Sequence, residues 1–208
     1  ISGMPYEDYV KQNILIPLGL SDTRTELPEN LYGEELAIGY TAKNRDGIRH
    51  KVNLFQAKGI TPAAGFSSTV EDLGKFASWQ FRLRDSSSVE ILKPSTLKNM
   101  QRVHWTNPDW STTWGLGFSV YKGSDGNTWV GHGGSCPGYR STLQINLKTK
   151  RAFSVMINSS GTNPNKYVKG INAIMNKMGS VKKDGDNETS EKLKEYVGYY
   201  DSSPWWGE

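Results

Sequence analysis

Apolar residues recur at helical spacing, then at every second position, then at helical spacing again. Pro5 suits the first turn of a helix, Tyr6, Tyr9, Val10 and Ile14 follow at its period, and Pro17-Leu18-Gly19 stops the run. Residues 20–60 are loop-rich, with strand-like pieces at Leu36 to Tyr40 and Val52 to Phe55, and Thr61-Pro62-Ala63-Ala64-Gly65 reads as a turn. Ser68-Thr69-Val70-Glu71 has capping-box spacing, with Asp72 also in the first turn. The helix it opens shows Val70, Leu73, Phe76, Ala77 and Phe81 on one face and Arg82 and Arg84 near its end. A second helix is expected over Pro94 to Val103.

After Trp110 the period becomes two. Trp114 to Tyr121 reads as one strand, turned by Gly123 to Asn127 into a second over Thr128 to Gly131. Leu143, Ile145 and Leu147 alternate with Thr142, Gln144 and Asn146, and Lys148-Thr149-Lys150 leads into Ala152 to Asn158. Short turns between four strands predict an antiparallel meander. A helix from about Pro164 to Met178 follows, with Asn163 as cap, Gly179 as stop, and Val168, Ile171, Ile174, Met175 and Met178 as its buried stripe. Residues 180–194 read as a polar linker, and residues 195–208, with Tyr196-Val197-Gly198-Tyr199-Tyr200, as the start of another domain.

Composition narrows the function classes. A chain of 208 residues holds one sizeable core, and the net charge of +4 is scattered, without the basic stripe that nucleic-acid binding needs. No apolar run approaches membrane-spanning length. The single cysteine, Cys136, excludes an internal disulfide framework, and His50, His104 and His132 have no metal-ligand spacing. The opening Ile1-Ser2-Gly3 suggests a piece of a longer protein.

The candidate chemistry lies in Val130-Gly131-His132-Gly133-Gly134-Ser135-Cys136-Pro137-Gly138-Tyr139. A histidine beside bare backbone N–H groups can hold a developing negative charge; the plainer alternative is a glycine-rich hairpin turn with an exposed histidine. Cys136 with His132 as base is a second possible nucleophile arrangement, against a simple turn thiol. Tyr139 and Arg140 are candidates for the pocket mouth, Arg140 for a substrate carboxylate, and Asn158 for a hydrogen bond to substrate; each has the alternative of an ordinary surface or turn role. Trp105, Trp110 and Trp114 suit either a pocket rim or core packing.

The order of several segments resembles the C-terminal half of the serine β-lactamase and penicillin-binding-protein-like superfamily, nearest its class C β-lactamase, D-aminopeptidase and esterase branch. These are Gly3 to Val10 with Ile14 to Leu20 and Asp22-Thr23, then Ala37 to Tyr40, Pro62 to Leu73, Trp114 to Phe118 before Gly131 to Gly134, and Ser154 to Asn158. The resemblance implies an α+β fold, an antiparallel sheet flanked by helices with a mostly helical subdomain around residues 60–110. The matching segments span roughly residues 1–160, residues 1–179 are expected as the C-terminal part of the domain, incomplete without its N-terminal half, and residues 195–208 more loosely resemble an appended β-barrel. The resemblance implies that His132 stabilises negative charge on substrate or intermediate, that the Ser135 N–H, just after Gly134, is an oxyanion-hole donor, and that Gly133 lies along the substrate.

In that family a Ser-x-x-Lys nucleophile and a Tyr-x-Asn motif face this strand. Ser-x-x-Lys occurs here at Ser95, Ser119 and Ser180, close to the roughly two matches that composition gives by chance. Ser119 falls on a strand, Ser180 in the linker and Ser95 on a helix unrelated to the family's, while Tyr-x-Asn is absent. The expectation is therefore part of a serine hydrolase acting through an acyl-enzyme on an ester, amide or β-lactam, without metal or organic cofactor. Its nucleophile lies upstream in the missing half, its partner, and this chain alone is inactive. The alternatives are an acyltransferase of the same fold and an inactive binding or scaffolding homologue.

Overall fold

The computed structural model describes residues 2–181. Residues up to Val168 form one compact unit, and Lys169 onward belongs to a second. The linker and the domain start expected beyond residue 181 lie outside the described residues.

Helix α1 (Tyr6–Val10) continues through a π turn (Lys11–Leu15) into α2 (Ile16–Leu18), which Gly19 closes. Val10, Leu15 and Leu20 form a small core with Phe76. After α3 (Thr61–Ala64) come α4 (Val70–Asp85) and α5 (Pro94–Met100), joined through Trp79, Leu83 and Leu97. The strands β1 (Trp105–Thr106), β2 (Thr113–Trp114), β3 (Ser119–Lys122), β4 (Thr128–Cys136), β5 (Tyr139–Asn146) and β6 (Arg151–Ile157) form one antiparallel sheet in chain order. Strand alternation divides the core between its faces. Val120, Val130 and Ile145 pack on Ala77 and Phe81 of α4, while Trp129 and Phe153 pack on Val168 of α6 (Pro164–Val181). The fold is α+β, an open antiparallel sheet with helices.

Four local expectations are revised. The strand expected over Trp114 to Tyr121 is two strands, because the Met100 carbonyl at the end of α5 accepts the Leu116 N–H (2.8 Å) and pulls residues 115–118 into a turn. The same contact closes α5 at Met100, short of Val103. The piece at 36–40 forms only isolated bridges and that at 52–55 none, although the Val52 N–H donates to the Gly39 carbonyl (2.9 Å). In α6, Val168 is buried but Ile171, Ile174, Met175 and Met178 are exposed, and the helix passes through Gly179 to Val181. Periodicity determines which face is apolar, not what covers it, and one helical glycine costs only about 1 kcal/mol.

The start of α4 is also rotated from expectation. Thr69, not Ser68, is the N-cap, its hydroxyl accepting the Asp72 N–H (3.2 Å). The inward face carries Asp72, Ala77, Trp79, Gln80 and Leu83, while Val70 is exposed. Asp72 turns inward because partners wait there. Its carboxylate is fully buried and accepts the Asp22 N–H (2.8 Å), the Thr23 hydroxyl (2.9 Å) and the Lys75 ammonium (2.8 Å). Lys75 also donates to the Gly19 carbonyl (2.8 Å), and the Thr23 and Ser68 hydroxyls share a bond (2.8 Å).

Burial by itself raises the Asp72 pKa, but the bonds from Lys75, Thr23 and the Asp22 N–H outweigh it and hold the group below the usual carboxylate range. A depressed folded-state value contributes stability above the unfolded value of about 3.9, and the contribution is lost as pH falls through the folded value. Asp72→Ala should cost roughly 2–3 kcal/mol in denaturant unfolding, since it strands buried donors while half-exposed Lys75 regains water. Asp72→Asn should flatten the stability–pH profile below about pH 4. An unchanged acid limb would assign the acid sensitivity elsewhere.

Candidate active site

β4 is a nine-residue strand whose second half has a neighbour on one edge only. β5 pairs with it throughout, from Trp129 opposite Asn146 to Cys136 opposite Tyr139. β3 begins at Ser119, opposite Gly131, so among the described residues positions 132–136 have no strand on that side. Backbone groups of an antiparallel strand point alternately to its two edges. The Leu147 N–H donates to the Thr128 carbonyl (3.1 Å), which turns the even-numbered positions of β4 toward β5. The Gly123 N–H donates to the Asn127 carbonyl (3.0 Å), which turns the odd-numbered positions toward β3. The N–H and C=O of Gly133 and Ser135 therefore face the uncovered edge.

His132 is exposed and leans over that edge. Its Nδ1 lies 2.7 Å from the Gly133 carbonyl; a carbonyl only accepts, so Nδ1 carries a proton and Nε2 is the nitrogen left for another group. The Trp114 ring stands beside it, with centroids 6.2 Å apart.

The two glycines after His132 are bare for different reasons. A Cβ on Gly134 would run into the Ser141 hydroxyl of β5, which would have to rotate away, so packing within the sheet favours glycine there. A Cβ on Gly133 would meet nothing closer than the Ser141 carbonyl at 3.6 Å, an ordinary contact. Packing within the described residues leaves that position open.

The other candidates have their polar groups engaged inside the protein. The Ser135 hydroxyl accepts from the Arg140 guanidinium, its cross-strand neighbour, and alternation puts both side chains on the sheet face opposite His132. The Tyr139 hydroxyl donates to the Ala37 carbonyl (2.7 Å), and the Asn158 amide donates to the Ile38 carbonyl (2.9 Å). Both bonds hold segment 37–52 against the tip of the β4–β5 hairpin. Tyr32 and Arg49, which sequence reasoning did not single out, complete this clamp. Tyr32 donates to the Val52 carbonyl (2.6 Å), and Arg49 to the carbonyls of Thr41 (2.8 Å) and Ser160 (3.0 Å). These are long-range bonds, and no local pattern announces them. Gly138 makes the contact possible: its φ is +83°, and a Cβ there would strike Val52 and sit 2.8 Å from the Gly39 Cα.

Cys136 is half-buried, and burial pushes its thiol up, only partly opposed by Arg140. Four strand positions separate it from His132, about 13 Å at normal rise, so His132 is no base for it. A cavity of about 820 Å3 opens beside α1, lined by Lys11, Leu15, Ile16, Leu20, Thr23 and Arg24 among others, none of them on β4. Gly19, Leu20 and Thr23 in its lining also belong to the surroundings of the Asp72 anchor.

Burial, with Tyr32 alongside, pushes the Tyr139 phenol up to about 12. A raised value means that its contribution to stability is complete below the unfolded value of about 10 and is lost as pH rises through 12. An absorbance titration should therefore show a late phenol that Tyr139→Phe removes, at a stability cost of about 1 kcal/mol. Faster amide exchange at Gly39 and Val52 in that variant should confirm the clamp; unchanged exchange would show the bond to Ala37 to be dispensable.

Comparison with known proteins gives a consistent picture. The family model described as Beta-lactamase matches residues 1–173. No curated protein matches. Among solved structures, the octameric penicillin-binding protein homologue from Pyrococcus abyssi is 28% identical, with a TM-score of 0.65, over 79% of this chain and 36% of that one. D-amino acid amidase from Ochrobactrum anthropi SV3, complexed with L-phenylalanine amide, is 27% identical, with a TM-score of 0.61, over 89% of this chain and 53% of that one. The penicillin-binding protein from Bacillus halodurans, 17% identical with a TM-score of 0.64, shares the fold. The chain spans between about a third and just over half of the length of these proteins. No helix among the described residues is long and apolar enough to cross a membrane.

Proposed function

The chain belongs to the beta-lactamase family, and from that premise we propose that it forms one wall of the active site of a serine hydrolase. The nucleophile comes from a segment outside these residues. The observation that carries this reading is the uncovered edge of β4, where the Ser135 N–H points outward next to His132.

The chemistry follows from that geometry. A serine from the other wall gives its proton to a base there, which later passes it to the leaving group; its oxygen attacks the carbonyl carbon of an ester, amide or β-lactam, and the carbonyl π electrons move to oxygen. The Ser135 N–H donates to that oxyanion, and His132, as an imidazolium with Nδ1–H tied to the Gly133 carbonyl, donates its Nε2–H to the same negative charge. Collapse of the tetrahedral species re-forms the carbonyl and expels the amine or alcohol with a proton. Water then repeats the sequence on the acyl-enzyme and releases the acid. The open space over Gly133 admits the substrate's backbone or acyl chain along the edge. Tyr139 and Asn158 shape the mouth of the site by holding segment 37–52, and Arg140 braces the Ser135 side chain, with no direct grip on substrate required of them. The likeness to a D-amino acid amidase supports small amides as the substrate class.

In the full-length protein, His132→Ala should lower kcat/KM by about 100–1,000-fold while shifting stability by no more than about 0.5 kcal/mol, because the side chain is exposed. Ser135→Pro removes the outward N–H at an edge position that tolerates proline, and should cost about 3–4 kcal/mol of barrier. A fluorophosphonate probe should label a serine outside residues 1–208. A labelled serine within them would overturn the assignment of the nucleophile. Absence of any labelling, with turnover undetectable in wild type, would identify an inactive binding homologue instead.

A further inference from the structure

The positive charge that reads as scattered along the chain has a local source. Residues 41–58 carry Lys43, Arg45, Arg49, Lys51 and Lys58 against a single acid, Asp46. Their excess of four equals the net charge of the whole chain, so the remaining residues balance. Four of the five cations lie between Thr41 and Lys51. That stretch is a small hairpin with its own closure. The Thr41 N–H donates to the His50 carbonyl (2.9 Å), and the Asn44 N–H to the Ile48 carbonyl (2.9 Å). The Asn44 side-chain oxygen accepts the N–H groups of Asp46 (3.0 Å) and Ile48 (2.9 Å), which holds the tip. Among the described residues, positions 43–48 make hydrogen bonds only to one another. The base is fastened to the body: Tyr40 N–H donates to the Asn158 carbonyl (3.0 Å), and Arg49 to the Ser160 carbonyl (3.0 Å).

The charge is not neutralised where it stands. Lys43, Arg45, Arg49 and Lys51 enter no ion pair among the described residues, Asp46 included. Lys51 lies over the Tyr32 ring, 4.8 Å from its centroid, and Arg49 meets only carbonyls, so both keep their charge. On the segment around Tyr32, Glu35 is taken by Arg24 (3.2 Å), and Glu29 and Glu34 pair with none of the four. Lys43, Arg45 and Lys51 are exposed, and among them Ile48 is 53% exposed.

We propose that this hairpin docks the protein on an anionic lipid bilayer, with Lys43, Arg45 and Lys51 at the headgroups and Ile48 in the acyl boundary beneath them. Two features select that partner. Cations massed without an acidic partner fit a surface of uniform negative sign. An exposed isoleucine among them gains nothing from a hydrophilic polyanion, but it fits the depth where headgroups give way to acyl chains. The hairpin also holds no Phe, Tyr or Trp on which bases could stack, which sets single-stranded nucleic acid aside. The docking is independent of the hydrolase reading, since no reacting group takes part in it.

The test sediments the full-length protein with vesicles of phosphatidylcholine, alone or mixed with phosphatidylglycerol, and measures binding to soluble polyphosphate beside them. Wild type should sediment with the mixed vesicles, less so at high salt, and not with phosphatidylcholine alone. Lys43→Gln combined with Arg45→Gln should weaken vesicle binding about 25-fold, fivefold for each charge removed from the surface. Ile48→Ser should weaken it about threefold and leave polyphosphate binding unchanged. All three side chains are exposed, so circular dichroism should show each variant folded as wild type. Wild type that ignores the mixed vesicles, or vesicle binding that survives the double substitution, overturns the docking. Vesicle binding indifferent to Ile48→Ser and matched by polyphosphate makes a soluble polyanion the partner, and overturns the bilayer as well.

Discussion

A single carboxylate, fully buried, ties together two stretches of chain that the sequence separates by 50 residues. Asp72 receives a backbone N–H from Asp22, a hydroxyl from Thr23 and an ammonium from Lys75. A buried charge with fewer partners would be a liability; with these partners it becomes a positional constraint. It fixes the first turn of α4 against the end of α2 and so sets the rotation of the helix. From that rotation, Ala77 and Phe81 fall on Val120, Val130 and Ile145, and the sheet is held at the point where β4 leaves the core. The segments around Asp22-Thr23 and Ser68 to Leu73, which carry part of the family resemblance, are the two halves of this anchor.

The anchor secures the near end of β4, and a different device creates the site at its far end. The Met100 carbonyl captures the Leu116 N–H and breaks what would otherwise be one long strand, so that β3 starts only at Ser119. A longer β3 would pair with residues 132–136 and consume the N–H groups of Gly133 and Ser135. Open edges invite unwanted pairing, and proteins normally cover or charge them. Here the edge is short, and it is topped by an imidazole bonded to one of its own carbonyls.

Much of this was legible in the residues. Alternation in 128–147 and 152–158 gave the meander and its two faces, because each strand buries one side on a helix and local period reports that directly. The position of α4 was readable from its cap, one residue out, because Ser68 and Thr69 both suit a cap and only the tertiary demand on Asp72 chooses between them. The open edge was not readable, since it depends on a carbonyl at residue 100 meeting an amide at residue 116. Nor were the partners of Tyr139 and Asn158, each more than 100 residues away along the chain. Side chains that local reasoning offers as substrate contacts are claimed by distant backbone, and only their type, not their destination, is written nearby.

The pair Gly133-Gly134 shows how a glycine motif separates into structure and function. Both residues are bare, and both follow the histidine, so a sequence pattern treats them alike. Gly134 faces the Ser141 hydroxyl so closely that a Cβ would force it to another rotamer, a packing reason that makes no reference to a ligand. Gly133 has room for a side chain, and its backbone groups face the uncovered edge. A position that packing leaves free, on a strand whose neighbouring positions packing constrains, fits a backbone kept clear for something outside the fold. The same reasoning assigns the Ser135 hydroxyl to structure, through Arg140, and leaves its N–H for chemistry. On the function proposed above, the reactive groups of this strand are those of the backbone. The side chains, His132 excepted, serve to hold it in place.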